Sequence, residues 1–376
     1  MRLVDLRFFR VNLTCRIDTL GTRRYGSGMA TAATMLAHVL VRPGEIELRQ
    51  VARPEPAAGE LVIRVRSALT CGTDVKAFTR GHPKFPMPTL FGHEFAGEIA
   101  AVGSGVGDWR EGDAVMATPT APCGRCFYCG RQQENLCDSL METMVLGAYS
   151  EYVKLPERIV RQNLFAKPAE LPYPVAALLE PLACVMHGLE GIAVQPGDTV
   201  VLIGAGAISV LHLLALQALG VERVVVVGRN TRRAETARRL GAAEVITGDL
   251  GEARSRVLGA TEGRGADLVI ECTGQVEVWQ AAPGFARRGG QVIFFGGCRP
   301  GTAVSIDTER FHYEQLRLSS PFHFTPRAVR RSYEMITGGR FRGEDLISGS
   351  FPLDELPQAL ARHRAGDGIK FAVVPA

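Results

Sequence analysis

Four cysteines crowd into one short stretch of this chain, as Cys123-x-x-Cys126-x-x-Cys129 followed by Cys137. The loop 119–140 that carries them is polar, contains Pro119, Pro122, Gly124 and Gly130, and has too little apolar surface to order itself. Four thiolates close the tetrahedral coordination sphere of one zinc ion, which makes such a site structural and lets the metal fold the loop. An iron–sulfur cluster or a redox cysteine set would use the same residues. Crowding of this kind, with no apolar run near the N-terminus long enough for a signal peptide, favours metal over disulfides.

A second donor set lies apart from the first, in Cys71-Gly72-Thr73-Asp74-Val75-Lys76, Gly92-His93-Glu94 and Glu180-Pro181. A catalytic zinc takes three protein ligands and keeps one position for water or substrate. Cys71 offers a thiolate, His93 an imidazole, and Glu94 or Glu180 a carboxylate. Such an ion eases loss of the proton from an alcohol, whose carbon then becomes a good hydride donor. Thr73, two residues from Cys71, has a hydroxyl suited to the first step of a proton relay, with Lys76 as an outer step toward solvent. Asp74 suits the second N–H of His93, fixing its tautomer. Singly, Cys71 and His93 read as packed core residues; together with the quartet and the loop described next they read as a site.

The run Val200–Ile203, then Gly204-Ala205-Gly206-Ala207-Ile208-Ser209, is a β-branched strand, a glycine turn and the start of an apolar helix. Gly204 permits the turn, and Gly206 with Ala207 and Ile208 brings a helix N-terminus close to a pyrophosphate. Ser209 stands where the fingerprint has its third glycine. An NAD site carries an acid at the end of the second strand to bond the ribose hydroxyl. Here the chain reads Val227-Gly228-Arg229-Asn230-Thr231-Arg232-Arg233, with Gly228 in that place. Without the carboxylate a 2′-phosphate is not repelled, and Arg229 with Arg232 or Arg233 can grip it. NADP is therefore expected in preference to NAD.

The 376 residues exceed what one core holds, so two domains are expected. From Met35, the stretches Ala37–Val41, Leu61–Val65, Gly97–Val102 and Ala114–Ala117 read as strands of a small all-β unit with long loops. From about residue 196 strands and helices alternate, which implies a parallel doubly wound sheet. The strands there are Thr199–Ile203, Arg223–Val227, Ala266–Glu271 and Gln291–Phe295, with helices over Ala207–Leu219 and Thr231–Leu240. The tail has a helical Leu353–Ala361 and an extended Lys370–Val374. Residues 1–34 are Arg-rich and aperiodic, and read as a loose extension with Met35 as the functional beginning. A net charge of +4 over this length points to neither a nucleic-acid nor a membrane partner. No run of 18 apolar residues occurs, so no membrane span is expected and the cytoplasm is the expected location.

These motifs together resemble the zinc-containing medium-chain dehydrogenase/reductase family, from about Met35 to the C-terminus. The likeness is to the sorbitol, threonine and related polyol dehydrogenase branch. It rests on Cys71-Gly72-Thr73-Asp74, Gly92-His93-Glu94, the four-cysteine lobe, Glu180-Pro181-Leu182 and the Gly204–Ser209 loop. It implies a GroES-like catalytic domain over 35–187, a Rossmann domain over 188–321, and a tail, 322–376, that returns to the catalytic domain. It implies two zinc ions per subunit, with Glu94 and Glu180 as alternative ligands of the catalytic one, and a homodimer or homotetramer. It also implies nicotinamide-side contacts near Thr273-Gly274 and Phe295-Gly296-Gly297, and a pyrophosphate contact from Lys370. The expected activity is hydride transfer between a secondary alcohol or polyol and the nicotinamide cofactor. A cyclitol or aminocyclitol dehydrogenase, with His312, His323 and Arg327 in its pocket, is the alternative. A non-catalytic NADP-binding protein on the same fold is the reading from another class.

Overall fold

The computed structural model describes residues 33–192, 194–195 and 197–376. All but the last two residues of the expected extension over 1–34 lie outside the described residues.

The alternating half of the chain forms a six-stranded sheet in which every pairing is parallel. Its strands lie in the order Glu244–Ile246, Arg223–Val227, Thr199–Ile203, Ala266–Glu271, Ala286–Phe294, Arg317–Ser319. In chain order that is third, second, first, fourth, fifth, sixth, so the order reverses beside Thr199–Ile203. A dinucleotide crevice opens at such a reversal. Val200, Val201, Leu202 and the other central valines are fully buried because helices cover both faces of the sheet.

The remaining strands build a second sheet, in which Leu61–Leu69 pairs antiparallel with Phe95–Val102, with Tyr152–Leu155 and with the C-terminal strand Lys370–Val374. Ala372 lies opposite Leu69, and Val373 opposite Ala68, so the extended end of the tail is a strand beside the one that leads into Cys71. The expectation of an all-β unit needs correction here. Helix Gly72–Arg80 interrupts it, and helix Leu179–Gly188 follows it. The first escapes a sequence reading because its N-cap is Cys71, whose sulfur accepts from Thr73 N while Asp74 reaches back to the Cys71 amide. Among the described residues no helix is long and apolar enough to cross a membrane.

His212 sits on helix Ala207–Ala218 with no exposure. Its Nδ1 lies 2.9 Å from Ile208 O, its ring meets Phe295 edge-on at 4.8 Å, and its Nε2 has no partner. Burial drives its pKa down to about 4, as it does for His38. In the unfolded chain a histidine titrates near 6.5, so between 6.5 and 4 the unfolded chain binds a proton that the folded chain does not. Stability is therefore complete above pH 6.5 and falls as the pH drops toward 4, by about 1.4 kcal/mol per pH unit for each such histidine. His212→Leu removes the unpaired nitrogen and this titration. It is expected to melt at or above the parent temperature at pH 7, with a margin that widens toward pH 5. A margin that stays constant with pH would clear His212 of the acid sensitivity.

Candidate active site

Strand Leu61–Leu69 ends just before Cys71, and strand Phe95–Val102 begins just after His93-Glu94. Because Ala68 pairs with Phe95, the two ends lie side by side, and residues far apart in sequence meet there. The ligand atoms of Cys71, His93 and Glu94 all lie within 4.8 Å of one another. Asp74 binds the group together and is fully buried. Its Oδ1 is 3.1 Å from His93 Nδ1, and its Oδ2 accepts from the Cys71 amide at 3.3 Å and the Tyr149 hydroxyl at 2.6 Å. Tyr149 OH also lies 3.0 Å from Leu69 O.

Burial alone would push the His93 pKa down, but the charge and hydrogen bond of Asp74 hold it well above the ordinary value. With Nδ1 committed to Asp74, the Nε2 lone pair of the neutral ring is the one available to a metal. Burial pushes the Cys71 thiol up, and Glu94 adds to this. A soft sulfur, an oriented imidazole and a carboxylate at this spacing fit a zinc ion.

Glu94 is fully buried, and both its oxygens face Lys370 Nζ, one of them at 2.7 Å. Thr70 O takes a further Lys370 donor at 3.1 Å. Burial drives the Glu94 carboxyl up to about 7, against the pull of the Lys370 ammonium. Lys370, expected at the pyrophosphate, is directed at the Cys71 cluster in this structure. Its three donors are taken by Glu94 and Thr70, and the side chain is 1% exposed. Glu180, in the first turn of Leu179–Gly188, stands outside the closest cluster, with the Cys184 sulfur 3.6 Å from its Oε1. Its pKa is raised by burial. Thr73 is half-buried and Lys76 exposed, three residues apart on the helix that begins at Gly72.

The sulfur atoms of Cys123, Cys126, Cys129 and Cys137 converge within 4.8 Å of one another, and all described cysteines are free thiols. Cys126 and Cys129 approach to 3.5 Å, while the amides of Cys123 and Arg125 point at Cys137 and Cys123 sulfurs. The lobe has only one turn of helix, Phe127–Gly130, and a short 3-10 turn, Glu134–Leu136, and it leaves Phe127 and Leu136 exposed. So little apolar burial cannot order such a loop, and the four sulfurs fit a closed zinc site that can.

At the glycine loop, Gly204 has φ +120° and donates to Val227 O at 2.7 Å. Gly206 caps helix Ala207–Ala218 without a side-chain partner, which leaves the first amides, among them those of Ala207 and Ile208, for a ligand. Ser209 is fully buried and its hydroxyl has no partner, so the helix still packs at the cost of one unpaired polar atom. A Cβ on Gly228 would stand 2.7 Å from the Ala205 Cβ, so an acid in that place would have to displace the loop. Arg229 is exposed and donates to Gln275 Oε1 at 2.7 Å. Arg233 is half-buried, and two of its nitrogens donate to Gly368 O and His363 O. Its Nη1 is the heavy atom nearest to the open Cβ side of Gly206.

Sequence reasoning missed two residues. Tyr149 reaches the site only through tertiary packing, where its ring fills the space that a Cβ on Gly92 would occupy. Glu271, fully buried at the end of Ala266–Glu271, accepts from the amides of Thr273 at 2.6 Å and Gly274 at 3.1 Å and from the Thr273 hydroxyl. Gly296 packs against it, since a Cβ there would meet Glu271 Oε2 at 2.9 Å. Of the alternative pocket residues, His323 lies 2.6 Å from Thr120 Oγ1, Arg327 pairs with Glu190, and His312 is exposed.

Family models for an alcohol dehydrogenase GroES-like domain and a zinc-binding dehydrogenase match residues 57–169 and 203–337. A zinc-type alcohol dehydrogenase-like protein of Escherichia coli is 31% identical over 85% of this chain and 92% of its own. D-altritol 5-dehydrogenase of Agrobacterium fabrum is 30% identical over 86% and 94%. A Sinorhizobium meliloti structure described as a zinc-binding dehydrogenase bound to NADP superposes with a TM-score of 0.84 at 30% identity, covering 91% of this chain and all of that one. The chain belongs to the zinc-dependent medium-chain dehydrogenase/reductase family. Within it, the likeness is to the polyol dehydrogenase branch, and the protein is an oxidoreductase of small alcohols that uses zinc and a nicotinamide cofactor.

Tyr149→Phe deletes the hydroxyl that steadies Asp74. It is expected to weaken zinc retention at the Cys71 site by about 10–100-fold in competition with a chelator. Zinc at the four-cysteine lobe should be unaffected. Equal zinc retention by variant and parent would show that Asp74 holds its place without Tyr149.

Proposed function

We propose that the chain transfers hydride between NADP, favoured over NAD, and a secondary alcohol carbon of a polyol, cyclitol or amino alcohol. The observation that carries this reading is the convergence of Cys71, His93 and Glu94, the first two held by Asp74 and the third by Lys370. Cys71, His93 and either Glu94 or Glu180 are the residues that would hold a catalytic zinc, and the four cysteines a structural one. Bound there, zinc supplies Lewis-acid assistance to loss of the alcohol proton. Lys370 competes for Glu94, and Glu180 is near enough to act electrostatically on Glu94 and His93, so the carboxylate position can change hands.

The chain's own residues do the remaining work. Asp74 fixes the His93 tautomer. Thr73 would take the proton of the substrate hydroxyl while passing its own hydroxyl proton on to water, with Lys76, on the same helix face, as the outer station toward solvent. Glu271 holds Thr273 and Gly274 in place on the nicotinamide side, with Gly296 packed against it, so that hydride donor and acceptor meet in one geometry. The amides after Gly206 receive the pyrophosphate. Gly228 with Arg229 and Arg233 supports NADP, as does the NADP in the Sinorhizobium meliloti relative. The names of the relatives support a polyol or amino-alcohol substrate, since they include sorbitol, D-altritol and L-threonine dehydrogenases. The working arrangement is a homodimer or homotetramer, with 35–187 and 322–376 as the catalytic domain and 188–321 as the cofactor domain.

Cys71→Ser is expected to lower turnover by more than about 100-fold while leaving the melting temperature near that of the parent. Retained turnover would overturn the catalytic role. Cys126→Ser should instead lower the melting temperature and release zinc from the lobe; a parent-like melt would remove the structural role. Steady-state kinetics across polyols, cyclitols, amino alcohols and simple secondary alcohols should give kcat/KM for NADP at least about 10-fold above NAD. A preference for NAD would sink the cofactor assignment.

A further inference from the structure

The arginines at the ribose end of the parallel sheet are already engaged. Asn230 caps helix Thr231–Arg239, and from this helix start three side chains reach to the turn between helix Leu356–Ala365 and strand Lys370–Val374. Asn230 Nδ2 lies 3.5 Å from Gly366 O, Arg233 donates to Gly368 O at 3.0 Å and His363 O at 2.7 Å, and Arg232 Nη1 meets Asp367 Oδ1 at 2.7 Å. The turn is pressed onto the helix start: Gly366 has φ +79°, and a Cβ there would stand 2.4 Å from Asn230 Nδ2.

The two arginine contacts differ in kind. Arg233 is half-buried and hydrogen-bonded only to neutral carbonyls, so its position is fixed, and Asp367 acts on its charge across space without a direct bond. Arg232 meets a carboxylate in an exposed pair, with side-chain exposures of 70% and 37%. Exposed pairs of this sort are weak and readily exchanged. A phosphate monoester carries about −1.5 to −2 charge near neutral pH and three strong acceptor oxygens, more than one carboxylate offers. Dinucleotide ribose groups are read at this end of the second strand, where Gly228 supplies no acid.

We propose that Asp367 is an internal stand-in for the cofactor's 2′-phosphate. It holds Arg232 when no cofactor is bound and competes with the phosphate for it, so a residue of the C-terminal turn helps set the discrimination between NADP and NAD. This rests on the NADP reading above. NAD presents a hydroxyl in that place and does not contest the pair. Asp367 is a specificity-determining residue remote from the metal site, and Arg232 is the group exchanged between the two anions.

The test is fluorescence titration of the zinc-loaded protein with NADPH and with NADH. Asp367→Asn is expected to bind NADPH about 3–10-fold more tightly and NADH within about 2-fold of the parent. Adding Arg232→Ala to Asp367→Asn should abolish the gain. Unchanged NADPH affinity, equal tightening toward NADH, or a gain that survives loss of Arg232 would each overturn the proposal. If the parent prefers NADH while Asp367→Asn still tightens NADPH alone, the cofactor preference fails and the exchange at Arg232 stands.

Discussion

One buried carboxylate, that of Asp74, determines how the site is assembled. Burying an unpaired charge is costly, and Asp74 offsets that cost with bonds to His93, to the Cys71 amide and to the Tyr149 hydroxyl. Each donor comes from a different part of the chain: a strand end, a helix start and the loop before Tyr152–Leu155. Satisfying the carboxylate therefore fixes the three segments against one another. The same bonds leave the Cys71 sulfur and the His93 Nε2 facing a common point. Gly92 has φ +90° and no side chain because the Tyr149 ring lies 2.6 Å from where its Cβ would be.

The C-terminal strand adds a second brace. Thr70 Oγ1 lies 2.8 Å from His363 Nδ1 and accepts the Phe371 amide at 3.0 Å, while Lys370 holds Glu94. The segment 363–371 thus touches the residue before Cys71 on one side and Arg233 on the other. It thereby ties the Cys71 cluster and the end of the second parallel strand into one frame. Pre-set geometry of this kind is worth more to a hydride transfer than any single contact.

How much of this was legible in the residues depends on sequence separation. The glycine loop and the four-cysteine lobe are short, local patterns, and the structure brings their residues together as their spacing implies. The alternation of strands and helices after residue 199 was equally readable, because period and β-branching are local signals. The pairing of Asp74 with His93 could be anticipated because one metal-binding residue calls for an orienting partner. Tyr149 could not, since nothing near Gly147-Ala148-Tyr149 marks it, and its partner is 75 positions away. The bond of Lys370 to Glu94 is hidden for the same reason: the two are 276 residues apart. The arginines after Val227 are legible as a basic group, but the acceptors of Arg232 and Arg233 lie more than a hundred residues downstream. Helix Gly72–Arg80 was hidden by a cysteine cap, which lies outside the usual Ser, Thr, Asp and Asn signals.

Cobalt substitution tests most directly whether Cys71 and His93 share one metal ion. Cobalt(II) bound to thiolate absorbs in a charge-transfer band that zinc lacks. The protein reconstituted with cobalt at both clusters should show a component of that band that disappears in Cys71→Ser and shifts in His93→Ala, while the four-cysteine component remains. A cobalt spectrum identical in the parent and in Cys71→Ser would contradict the account, because the sulfur at the end of Leu61–Leu69 would then hold no metal.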